Sequence, residues 1–195
     1  MWIKKLAMIA AIALPSVAIL SCNSVARESA PVMLVVNGTQ ILNQVDLQFG
    51  AAGCAQSIGT VQVGVLLLQN QNDPTHPVRN ELNDVKLDRY QISYQRTDGG
   101  KLVPPGFVRS TSQVLSTTVL TANLNDFIAF ETNAFNQAPF AALLPQNGGR
   151  DPETGLSFVK LDIILTVYGE TLAGERVQGS ARFPLNFCFN CGGCF

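Results

Sequence analysis

Charge is scarce in this sequence. Lys, Arg, Asp and Glu make up 14% of its 195 residues, against roughly 25% in an average globular chain. The 13 basic and 14 acidic residues nearly balance. That argues against nucleic acid as a partner, because phosphate binding needs a cationic face. Histidine is nearly absent: His76 is the only one. Multi-histidine metal centres are thereby excluded. A Ser-His-Asp triad would need this one residue and a nucleophile elbow, and no Gly-x-Ser-x-Gly occurs. His76 reads instead as a solvated loop residue. Hydrophobic residues, by contrast, reach 47%, which argues against long intrinsic disorder.

The apolar residues are concentrated first at the N-terminus. Lys4 and Lys5 precede an apolar run over residues 6–20, interrupted only by Pro15 and Ser16 and followed by Ser21-Cys22. A basic start, a short apolar core and a small residue before a cut site describe an export signal. The run falls short of the ~20 apolar residues of a membrane span, and no later stretch qualifies.

Ile19-Leu20-Ser21-Cys22 resembles the lipobox of bacterial lipoproteins: aliphatic, variable, small, then the lipid-bearing cysteine. The resemblance implies cleavage before Cys22, a thioether diacylglycerol on its sulfur and usually an amide-linked acyl chain. Several acyl chains anchor stably where one binds marginally. Asn23, rather than Asp, after the cysteine implies a bacterial outer-membrane location, facing the periplasm or the cell surface. Ordinary cleavage after Ser16-Val17-Ala18 or Ser24-Val25-Ala26 is the alternative. Loss of Lys4 and Lys5 would leave 11 basic residues against 14 acidic ones, a net charge of −3.

The chain therefore divides into a signal helix over residues 1–21, a small polar tether over 22–30 and one domain over 31–195. Strand signals dominate that domain. Candidates lie at 32–36, 41–49, 61–68, 85–96, 114–124, 127–132, 156–168 and 177–187. The alternation within 85–96 changes parity near Asp88 and Arg89, as a β-bulge would produce. The segments at 114–124 and 127–132 read as a hairpin through Asn125-Asp126. Residues 135–144 fit one short helical turn, broken by Pro139 and Pro145. Pro184 suggests an edge position or a bulge in the last strand. About seven to nine short strands without an ordinary helix predict an all-β antiparallel sandwich or barrel.

The stretch from Tyr90 to Gly99 resembles a central strand and turn of an immunoglobulin-like or fibronectin-like domain. Val167-Tyr168-Gly169-Glu170-Thr171-Leu172-Ala173-Gly174-Glu175 resembles the hairpin before its last strand. The resemblance covers most of residues 31–187 and implies an immunoglobulin-like β-sandwich. It brings no catalytic residues.

The one local cluster with chemical potential is the tail Cys188-Phe-Asn-Cys191-Gly-Gly-Cys194. With Cys54 it makes four cysteines beyond Cys22. In an oxidising compartment an even count reads as two disulfides. Each of the three pairings joins Cys54 to one tail cysteine and closes a small loop with the other two. A tetrathiolate zinc site on the same four residues is the competing reading. An iron–sulfur cluster and a redox-active C-x-x-C fit the context less well.

Other polar residues read as structural. Asp73, Asp84, Asp88, Asp98 and Asp151 sit at turns without calcium-loop spacing and fit local turn hydrogen bonds. Glu131, Glu153, Glu170 and Glu175 show no pairing that spacing alone would reveal. The amides Asn70, Gln71, Asn72, Asn123, Asn125, Asn133, Asn136, Gln137, Gln146 and Asn147 read first as polar loops. With Phe135, Phe140 and Tyr90 they could instead form a neutral recognition surface. Residues 139–144 read as either a docking patch or a plug closing the sandwich.

The expected protein is thus an exported lipoprotein. It is held to the membrane by Cys22 and binds a protein or glycan through sandwich loops, with no catalysis and no cofactor. The competing classes are a structural subunit of an envelope or surface assembly, where edge strands pair, and a cysteine-cluster metal-binding protein.

Overall fold

Long β-branched and aliphatic runs decide this fold, because they alternate with a period of two and leave no helical stripe. The computed structural model describes residues 32–39, 43–49, 59–68, 81–118, 121–131 and 133–192. The expected signal over 1–21 and tether over 22–30, with Cys22, and Cys54, His76 and Cys194 lie outside them. Among the described residues the fold is all-β, with eight strands in two sheets and no α-helix.

The strands are β1 (Val32–Thr39), β2 (Gln44–Asp46), β3 (Thr60–Leu67), β4 (Val85–Arg96), β5 (Phe107–Leu115), β6 (Ala122–Asn123), β7 (Phe158–Thr171) and β8 (Arg176–Cys188). The large sheet runs β2-β8-β7-β4-β5 and the small one β1-β3-β6. The long strands pair antiparallel. The exception is β2, whose three residues run parallel to the end of β8, Gln44 opposite Asn186 and Asp46 opposite Cys188.

The bulge expected in β4 is present. Its register shifts between Leu87 and Arg89 against both β5 and β7, so Val85 and Leu87 face inward before it and Tyr90 and Ile92 after it. Pro184 also has a structural reason. It faces Asp162 of β7, while β2 pairs only residues 186–188. The missing N–H therefore falls where the outer side of β8 has no ladder partner.

Three expectations differ. Of the strand candidate at 41–49, the described residues form a strand only at Gln44–Asp46, followed by a 3-10 turn at Leu47–Phe49. The anticipated hairpin at 114–132 is absent. β5 starts at Phe107 and ends at Leu115, β6 is two residues long, and 127–131 forms no strand. The segment 135–144 contains not one turn but two 3-10 turns, Ala134–Asn136 and Phe140–Leu143. Pro139 between them fixes the break.

Buried residues form one cluster between the layers. β7 supplies Val159, Leu161, Ile163, Leu165 and Val167, and β8 supplies Val177, Phe183, Leu185 and Phe187. Two different pieces of chain cover this inner face. The small sheet contributes Val32, Leu34, Val36, Val61, Val63 and Val65. Its β1 passes so close to β8 that a Cβ on Gly179 would collide with the Leu34 carbonyl. Only glycine fits that crossing. The second cover is the irregular segment 124–144, which brings Phe130, Phe135, Phe140 and Leu143 into the core.

Candidate functional site

The most organised polar feature lies at one end of the large sheet. Arg96 ends β4 opposite Leu161 of β7. The 97–106 loop leaves from it, the 145–157 loop enters β7 beside it, and the cysteine tail leaves β8 next to Phe158. Three connections thus share one end because their strands are neighbours.

The Arg96 side chain is 1% exposed and organises two of these loops. Its Nε donates to Asp98 Oδ1 at 2.7 Å, and its Nη2 donates to Asp98 Oδ2 and Asp151 Oδ2, each at 2.9 Å. Nη1 donates to the Leu102 carbonyl at 3.2 Å. The carboxylates then hold backbone. Asp98 accepts the N–H of Gly100 and, across the gap, of Lys160. Asp151 accepts the N–H and hydroxyl of Thr154. Glu153 Oε2 accepts both Lys101 N–H at 2.8 Å and Leu102 N–H at 2.7 Å. The planar guanidinium suits such a site, because it can donate along several fixed directions at once.

The titration of this cluster follows from opposing causes. Burial alone would raise the Asp98 and Asp151 carboxyls. The Arg96 guanidinium and the donated N–H bonds outweigh it, and both are held below the usual carboxylate range. Asp151 Oδ1 is buried and takes no partner among the described residues.

The tail is held as firmly. Cys188 and Cys191 form a disulfide with a Cα separation of 6.0 Å. Buried Asp46 accepts Asn190 N–H at 2.9 Å and Cys191 N–H at 2.8 Å. Gln44 Nε2 donates to the Cys191 carbonyl at 3.0 Å. In this bridged form neither sulfur is a thiolate, the form that binds metal. Of the four predicted cysteines the structure brings these two together, and Cys54 and Cys194 lie outside the described residues.

A shallow groove of about 420 Å³ lies elsewhere, on the outer face of the large sheet beside the bulge. The Arg89 guanidinium sits 4.6 Å from the centroid of the Tyr168 ring. The Tyr168 hydroxyl donates to Gln91 Oε1 at 3.1 Å. Asp88 and Glu170 balance Arg89 and Arg176 along the lining.

The turn-bonding role expected for Asp98 and Asp151 holds. Their convergence on Arg96 was not legible, because Asp151 lies 55 residues from Arg96 and no spacing marks the pair. A proposed amide-and-aromatic recognition surface does not form as expected. Asn123, Asn125, Asn133, Asn136 and Gln137 are exposed, but Tyr90, Phe135 and Phe140 are core residues. Residues 139–144 act as the plug, with Phe140 and Leu143 fully buried. Among the described residues no group of His, Cys, Asp and Glu is arranged to hold a metal ion. No described helix is long and apolar enough to cross a membrane. Compared with known proteins, the chain matches no family model, no curated protein and no solved structure.

Proposed function

We propose that this chain is an exported lipoprotein, anchored through Cys22 to a bacterial outer membrane, that binds a protein or glycan partner through the loops at the Arg96 end of an immunoglobulin-like sandwich. The lipobox-like Ile19-Leu20-Ser21-Cys22 supports the anchor. The two sheets, the long antiparallel strands and the β7–β8 hairpin support the sandwich.

The observation that carries the binding role is the locked loop end. Three carboxylates and one buried guanidinium fix loops whose outer residues stay in solvent. Lys101, Leu102, Arg150 and Pro152 are exposed there. Rigid loops on a sheet scaffold are suited to recognition, since little ordering is needed on contact. Arg96 and backbone N–H groups hold the carboxylates of this cluster, which is a positional role.

The test is site-specific photo-crosslinking in intact membranes from Leu102 and from Pro152, with Val108 on the outer face of the large sheet as reference. A discrete product from both loop positions and none from Val108 is expected. A product from Val108 alone, or from none of the three, contradicts the loop reading.

A second reading rests on β5. Seven of its nine residues pair with β4, and no backbone bond from another described residue reaches its other edge. Such an edge accepts a strand from a neighbour, which fits a structural subunit. Concentration-dependent oligomers lost on placing a proline in β5 would favour it.

A further inference from the structure

Charge is not only scarce but segregated. Between residues 29 and 72 the one charged residue is Asp46, and it is buried against the tail. β1 and β3, which form most of the small sheet, therefore carry no charge at all. Their inner residues belong to the core, so the outer face should be polar if it met only water. It is not uniformly so.

The register places Met33 of β1 opposite Leu66 of β3. Both face outward, 44% and 50% exposed, and Leu68 just beyond is 44% exposed. Toward the other end of the same face the residues become amides. Asn37 is opposite Gln62, and Gln62 Nε2 donates to Asn123 Oδ1 at 3.3 Å. The outer face thus grades from apolar to polar along its strands. The apolar end is the end at which the chain enters β1. Met33 lies 11 residues after Cys22, a span of at most about 40 Å when extended.

We propose that the Met33–Leu66–Leu68 end of the small sheet rests on the lipid surface to which Cys22 is anchored. The inference builds on the lipoprotein reading. The three side chains make too small a patch to hold a free protein on a bilayer. A lipid anchor a few turns of chain away removes that difficulty, because it keeps the face at high local concentration beside the membrane. The absence of charge fits the occupant. An apolar, uncharged edge enters the headgroup boundary without a desolvation cost for ions, and the amide end remains among headgroups and water. The contact orients the domain, so that which loops face outward is set by the sheet and not by the tether alone. It follows that docking is insensitive to salt, since no ionic attraction contributes.

The experiment uses the full lipidated chain carrying Leu66→Trp in phosphatidylcholine vesicles with brominated acyl chains. The chain's only tryptophan, Trp2, lies in the segment removed with the signal, so the new indole reports alone. A blue-shifted emission strongly quenched by brominated lipid, unchanged by salt, is expected. Val108→Trp on the outer face of the large sheet should emit as in water. Leu68→Trp provides an independent position with the same expectation as Leu66→Trp. Water-like emission at both 66 and 68 overturns the proposal. So does a blue-shifted but unquenched signal, which would mean that protein covers the face, either this chain or a second copy. Intact mass on the same sample separates the two readings. An unmodified Cys22 overturns the anchor and the docking with it, whereas a lipidated chain with an unquenched indole overturns the docking alone.

Discussion

The inner face of the large sheet is covered by two unlike pieces of chain. One is a small sheet of valines and leucines in strict alternation, joined to the core by aliphatic contact and the close crossing at Gly179. The other, 124–144, has almost no ladder. It is fixed by rings and by two phenols. Phe140 lies 4.4 Å from Phe187 between ring centroids, and Phe130 stacks on Tyr94 at 5.2 Å. Tyr94 donates to the Ala129 carbonyl at 2.7 Å and Tyr90 to the Asp126 carbonyl at 3.2 Å. Burial pushes both phenols above their ordinary value. A repeating backbone ladder satisfies its own polar groups. An irregular cover must borrow side chains to do so, and the tyrosines of β4 are lent for that purpose.

The largest loss is expected where charge is buried. Arg96→Leu leaves Asp98 and Asp151 without their shared cation, and their side chains are only 2% and 0% exposed. Breaking a buried pair in this way costs about 3–5 kcal/mol. Urea denaturation should show a loss of that order, and a loss under ~1 kcal/mol would mean that the loops are held by something else. The two covers can then be truncated in parallel. Phe140→Ala should cost about 3–5 kcal/mol and Leu34→Ala about 2–5 kcal/mol. If the irregular cover were a loose flap, Phe140→Ala would be nearly silent in the same melts.

A smaller effect belongs to the tail. Replacing Cys188 and Cys191 together by serine removes a very short loop, for which the chain-entropy model gives about 2 kcal/mol. An unchanged melting temperature would show that Asp46 and Gln44 suffice to hold the turn.

Acid sharpens the contrast between the ionic end and the uncharged sheet. The folded Asp98 and Asp151 carboxyls lie below their unfolded values. Their contribution is complete above the unfolded value, near 3.9, and is lost as pH falls through the lower folded one. Melting temperature should hold steady from neutral pH to about 5 and fall below about 4. Arg96→Leu should flatten that fall. The smallest expected change is at the exposed face, where Met33→Gln should move stability by no more than about 0.5 kcal/mol while weakening membrane contact.

Much of the fold was legible because most of the large strands obey one rule. The span 85–96 and its bulge follow from the parity change between Leu87 and Tyr90, and 177–187 from alternation with a tolerated Pro184. The β5 strand was missed over most of its length because Val108, Ser110, Ser112 and Val114 of its outer face mix apolar and polar residues. Its burial is set by its edge position, not by its pattern. The strand candidate at 127–132 misled in the opposite sense over its described residues 127–131. Phe127 and Phe130 suggested a strand, yet they are anchors for an irregular segment. The parallel pairing of β2 depends on where the tail returns, which no local signal carries. The Arg96 cluster was invisible for the same reason, although Asp98 and Asp151 were placed at turns; Glu153, which holds the Lys101 and Leu102 N–H groups, carried no such signal.

Whether Cys22 carries a lipid is decided by the intact mass of the protein extracted from a bacterial membrane fraction and denatured without reductant. A chain beginning at Cys22 is expected, heavier by a diacylglyceryl group with or without a further acyl chain, lighter by two hydrogens for the Cys188–Cys191 bridge and by two more where Cys54 and Cys194 also pair. A chain cut after Ala18 or Ala26, or one with an unmodified Cys22, would contradict the lipid anchor.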